Sequence, residues 1–159
     1  MENALHDRIQ NAPERPEYSS VLAALEPVLY DLPPVIVAID GRCGVGKTTL
    51  GRFLSWRFNI SLLETDLFLV RNKGSFAYRN GDVRKVIQSR IDSNRPIIVE
   101  GVVSLDLLTK IGFAPSFHIR VNCSEAVGSY GMEEAWQRYA QRYELLTLGS
   151  LDIELPILN

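Results

Sequence analysis

Gly41, Gly46, Lys47 and Thr48 stand in the spacing G-x-x-x-x-G-K-T within "AIDGRCGVGKTTL", residues 38–50. Those residue types at that spacing suit one task, holding a polyphosphate. Glycines at 41, 44 and 46 let the backbone turn its amide groups inward around an anion. A helix starting near Lys47 adds unpaired amides and the positive end of its dipole. Lys47 can then reach the terminal phosphates, and the Thr48 hydroxyl can ligate Mg2+. The stretch Gly41, Arg42, Cys43, Gly44, Val45, Gly46, Lys47, Thr48 and Thr49 is therefore read as a nucleotide-binding loop. Cys43 lies close to Lys47 and a helix start, both of which favour thiolate; a small residue tolerated at a spacer position explains it equally well.

Two acids stand where a second part of such a site belongs. Asp66 follows "ISLLET", and Glu100 closes "PIIVE". Both lie at the carboxyl ends of apolar runs, the place where ligands gather in an open parallel sheet. Further along, "AWQRYAQRYELL" puts Arg138 and Arg142 four residues apart and so on one helix face. Trp136, Tyr139 and Tyr143 in the same segment are expected to pack.

The elements that must position these residues follow from periodicity. "VIVAI" (35–39), "ISLLE" (60–64), "PIIVE" (96–100), "SFHIRV" (116–121) and "LDIELPIL" (151–158) read as strands. Helical stretches near 47–58, 81–94, 103–111 and 124–146 separate them. That alternation predicts an α/β domain, a parallel sheet covered by helices on both faces. Residues 1–32 read as a helical extension on a domain spanning 33–159. Its first part is a short helix. Its second, Ser19 to Tyr30, carries Val21, Leu22, Leu25, Val28 and Leu29 on one face, with Pro27 expected to disturb it.

"VIVAIDGRCGVGKTTL", "TDLF" and "PIIVEGVVSLD" together resemble the uridine kinase and phosphoribulokinase group of P-loop kinases, over roughly residues 33 to 123. The resemblance implies a three-layer P-loop NTPase fold with strand order 2-3-1-4-5, and ATP and Mg2+ as cofactors. It implies that Asp66 accepts the proton of an acceptor hydroxyl and adds to the metal site. Glu100 matches the carboxylate that holds Mg2+ with Thr48. Arg138 and Arg142 match arginines that a lid brings to the transferring phosphate, beside Lys47. A positioned carboxylate with charge neutralisation is what phosphoryl transfer needs. Only 34 positions separate Asp66 from Glu100, so the loop "LFLVRNKGSFAYRNGD" must supply most of an acceptor pocket. Arg71, Tyr78 and Arg79 are its substrate-binding candidates, with Lys73 beside them, and their charge suits a phosphorylated or carboxylated acceptor.

Composition narrows the alternatives. A net charge of −2 gives no electrostatic case for nucleic-acid or membrane binding, and two cysteines without metal spacing support neither a disulfide framework nor a zinc site. The first residues lack the basic and apolar order of an export signal, so a cytoplasmic location is expected. Asn-Lys-x-Asp and D-x-x-G are both absent, which argues for ATP over a regulatory GTPase. A small-molecule acceptor is the expected partner; oligomeric state stays open, a homodimer included. The competing reading is a nucleotide-binding switch that works through a protein partner.

Overall fold

The computed structural model describes residues 15–71, 73, 76–124, 132–143 and 150–156. Five strands, β1 (Ile36–Asp40), β2 (Ser61–Glu64), β3 (Ile97–Glu100), β4 (Phe117–Asn122) and β5 (Ser150–Glu154), form one sheet. Every pairing is parallel and the order is β2-β3-β1-β4-β5, as the resemblance implies. β1 lies at the centre with all five residues buried, which explains an apolar run without polar alternation.

Its side chains divide by the two-residue period of a strand. Val37 and Ile39 pack with α1 (Ser19–Leu29) and α2 (Lys47–Phe58) on one face. Ile36 and Ala38 pack with α3 (Asn80–Asp92), α4 (Ser104–Lys110) and α5 (Glu133–Arg142) on the other. The expected three layers are present.

α1 keeps Pro27 inside its last turn. Ala23 and Pro27 are both exposed, so water can take the carbonyl that a proline four residues on leaves without a donor. Val21, Leu22, Leu25 and Leu29 are buried as expected, and they join the same core as β1. The short helix expected before them lies outside the described residues.

Two elements are shorter than their sequence patterns. The helix expected over 124–146 is described as Glu133–Arg142, between the non-helical Met132 and Tyr143, and the rest of that span lies outside the described residues. β5 ends at Glu154, two residues before Pro156, which has no N–H to give a neighbouring strand. Among the described residues no helix is long and apolar enough to cross a membrane.

Candidate active site at the carboxyl ends of the strands

Asp40 ends β1, and the chain turns at once into the glycine loop. Gly41 has φ of 147°, and a Cβ there would meet the carbonyl oxygen of Val121 at 2.3 Å. Only glycine lets the loop leave the sheet so close to β4. Gly46, at φ 97°, makes the last bend before α2 begins at Lys47. Both features place the first amides of α2 at the loop, as an anion site requires.

Lys47 is buried, 6% exposed, and its Nζ donates to the Arg42 carbonyl across the loop at 2.6 Å. Burial lowers its pKa, while the nearby negative groups, Glu100 first among them, act against that shift. Thr48 Oγ1 donates to Glu100 Oε2 at 3.3 Å. Glu100 is 3% exposed; burial raises its pKa and Lys47 pulls it back. Its strand neighbour Glu64 faces outward to Arg52 Nε and Nη2, at 2.7 and 3.0 Å. Of the two strand-end glutamates, then, Glu100 is the one that reaches the loop.

Asp66 is exposed on the 3-10 turn Thr65–Phe68, just past β2. Its charge acts on both Lys47 and Glu100. Lys47, Thr48, Glu100 and Asp66 are thus gathered at one end of the sheet. The chemistry of the set fits Mg2+, a hard cation that takes one or two carboxylates with substrate phosphates and waters. Among the described residues no three His, Cys, Asp or Glu side chains gather as a closed metal cage.

Thr65 links the Asp66 turn to β3. It is fully buried, and a Cβ on Gly101 would meet its Oγ1 at 1.9 Å. Gly101→Ala is expected to lower stability by about 1–3 kcal/mol, the usual cost of overpacking a filled core. A denaturant titration checks it: the midpoint falls with unchanged slope if the strain is local.

A cleft of about 580 Å³ opens between α4, α5 and the hairpin closed by the Leu69–Tyr78 bridge. Tyr78, Arg138 and Arg142 line it, as does Lys110, which sequence reasoning passed over. Its signal was faint, a single lysine ending a short helix. Arg71 and Arg79 are not among the lining residues. Arg79 stacks on Phe68, with its guanidinium carbon 5.4 Å from the ring centroid, and donates to the Leu67 carbonyl. Arg142 donates to Asp106 at 2.8 Å, and the Tyr143 hydroxyl donates to the same carboxylate at 2.7 Å. Trp136 and Tyr139 are buried and pack as expected, with ring centroids 5.4 Å apart.

One cluster escaped the sequence reading altogether. Asp40 is 0% exposed and receives Arg120 Nε and Nη2 at 3.1 and 3.0 Å and the Tyr139 hydroxyl at 2.6 Å. His118 Nε2 lies 2.9 Å from Asp40 Oδ1, off the axis of a hydrogen bond. Arg120 also lies over the Trp136 ring, 5.5 Å from its centroid. Burial works to raise the Asp40 pKa, but the contacts with His118 and Arg120 outweigh it and hold the carboxyl below its ordinary value. The network ties the stem of the glycine loop to β4 and α5. A second tie joins Arg42 in the loop to Glu133, the first residue of α5.

A solved structure similar in fold is that of a possible uridine kinase from Bacillus stearothermophilus. It aligns with a TM-score of 0.56 at 14% identity, covering 96% of this chain and 99% of that one. The chain has the three-layer P-loop NTPase fold. Looser likenesses include a sugar kinase from Janibacter sp. (TM-score 0.48, 16% identity, 79% of this chain and 86% of that one). Another is shikimate kinase from Acinetobacter baumannii in complex with shikimate (TM-score 0.43, 14% identity, 84% and 87%). No family model and no curated protein matches the chain. At such identities the likeness speaks for the fold, and the chemistry has to be read from the residues of this P-loop.

Proposed function

We propose that the chain is an ATP- and Mg2+-dependent kinase that phosphorylates a hydroxyl group of a small metabolite. The observation that carries this reading is the convergence of Lys47, Thr48, Glu100 and Asp66 at the open end of the sheet. The loop amides and Lys47 hold the phosphate chain of ATP. Thr48 and Glu100, already 3.3 Å apart, would hold Mg2+, which when bound neutralises phosphate charge. Asp66, exposed and outside that pair, orients the acceptor hydroxyl and takes its proton as the oxygen attacks. The bond between the terminal phosphorus and its bridging oxygen breaks, and ADP leaves.

The test is ATP consumption by the purified chain across nucleosides, sugars, sugar phosphates and vitamin-like alcohols, with products identified by mass. A phosphorylated acceptor supports the reading. ATP binding with no product from any acceptor would favour the switch.

Cys43 offers an independent check on nucleotide placement. It is half-buried inside the loop. Saturating Mg-ATP is expected to slow its alkylation several-fold, followed by intact-protein mass spectrometry; equal labelling with and without ATP would contradict a phosphate chain seated against this loop.

A further inference from the structure

The cleft between α4, α5 and the Tyr78 hairpin carries a charge pattern that speaks to the acceptor. Its volume, about 580 Å³, falls within the usual range for small-molecule sites. Val103, Leu107 and Tyr139 give it an apolar floor. Five ionisable side chains other than tyrosine line it: Lys110, Arg138, Arg142, Asp106 and Glu134. Arg142 and Asp106 are paired with each other. That leaves two cations and one anion facing the space. Glu134 precedes Arg138 by four residues, the spacing of a helical ion pair, yet among the described residues no ion pair or hydrogen bond joins them. Lys110 and Arg138 likewise have no partner among the described residues, and both are exposed to the cleft's solvent.

The cleft also has a direction. Its near end adjoins the P-loop, because Glu133 at the start of α5 pairs with Arg42. Tyr78 on its wall is close enough to Asp66 and Glu100 for their charges to act on its hydroxyl. Arg138 lies five residues beyond Glu133, roughly 7–8 Å farther along the helix axis. We infer that this cleft binds the phosphoryl acceptor and that the acceptor is anionic, its reacting hydroxyl toward Asp66 and its carboxylate or phosphate between Lys110 and Arg138. The inference rests on the kinase reading and assigns Arg138 to the acceptor instead of the transferring phosphate. A guanidinium matches a carboxylate or phosphate with two parallel hydrogen bonds, and the lysine adds charge without demanding geometry. Neutral acceptors would leave both cations without a matching anion on the ligand.

The experiment compares matched pairs: sugar phosphates against the same sugars, and hydroxy acids against their primary amides. Each is assayed with Mg-ATP, and its binding is titrated calorimetrically in the presence of Mg2+ and a non-hydrolysable ATP analogue. The acidic member of a pair is expected to exceed its neutral partner by about tenfold or more in kcat/KM, the worth of one charged hydrogen bond. Lys110→Gln and Arg138→Gln should each raise KM and weaken calorimetric binding of the acid by a similar factor, with a much smaller change in kcat. Glu134→Gln should tighten it. Equal turnover of neutral and acidic members, or a kcat loss in Arg138→Gln at unchanged KM, overturns the inference and leaves the kinase reading standing. If no compound is turned over but the acids bind in a Lys110- and Arg138-dependent way, the anion site is supported and the kinase reading fails. If none binds or reacts while ATP still binds, both fall.

Discussion

Asp66→Asn is expected to retain Mg-ATP binding while kcat for acceptor phosphorylation falls by about 10²–10⁴-fold, the usual contribution of a positioned general base. The amide has the same shape and stands at an exposed position, so the fold has no reason to respond. What it loses is a negative charge and the capacity to accept a proton. Because that charge acts on Lys47 and Glu100 beside the phosphate site, its removal should leave ATP affinity equal or slightly higher. Single-turnover mass analysis of the acceptor product, with nucleotide affinity measured by calorimetry, separates the outcomes. Turnover equal to wild type would exclude Asp66 as the base. A joint loss of turnover and of metal-dependent ATP affinity would place Asp66 with Thr48 and Glu100 on Mg2+, the other role that the family resemblance implies.

Much of this centre is legible in one dimension because each part is local. The G-x-x-x-x-G-K-T spacing, the strand before it and the helix after it occupy one continuous stretch, so backbone chemistry alone points to the loop. Glu100 and Asp66 are readable because parallel strands all end on the same side, so acids at or just past those ends are brought together. The end position alone does not decide which of them faces the loop, as Glu64 shows. Even the strand order was implied by resemblance, with β1 at the centre as its unbroken apolar run suggests. Element ends were less readable: Pro156 closes a strand pattern that hydrophobic periodicity would extend.

Side-chain pairings across long separations were out of reach. Arg79 looked like a free cation of the acceptor loop, but the aromatic ring of Phe68 and the carbonyl of Leu67 engage it. Arg120 and Asp40 are 80 positions apart, and Tyr139 is 99 from Asp40. A partial signal was present in "SFHIRV", where His118 and Arg120 alternate onto one face of a strand whose other face carries the apolar Phe117, Ile119 and Val121. Two basic residues on the buried face of a strand require an acid, and the only acid inside "VIVAID" is Asp40. What the sequence does not contain is the register that sets Asp40 opposite Arg120.

That register carries the second large effect. Asp40→Asn leaves the Arg120 charge, half-surrounded by the Trp136 and Tyr139 rings, without its counter-ion. Removing one member of a buried ion pair costs about 3–5 kcal/mol, because the partner's desolvation is no longer offset. Since native domains have only about 5–15 kcal/mol in hand, the variant should unfold at a much lower denaturant concentration. Arg120→Met in the same background removes the stranded charge and should recover part of the loss, so a double-mutant cycle will show strong coupling. The pH dependence gives an independent sign. Asp40 titrates lower in the folded chain than its ordinary value of 3.8, so between those two points the unfolded chain binds the extra proton and stability rises with pH. The contribution is complete above the unfolded value and is lost as pH falls through the folded one. The gap in stability between wild type and Asp40→Asn should therefore be widest near neutrality and close in acid, where protonation strands Arg120 in the wild type as well. A gap that stays constant from neutral pH into acid would mean that the carboxylate charge is not what holds the loop stem to β4 and α5.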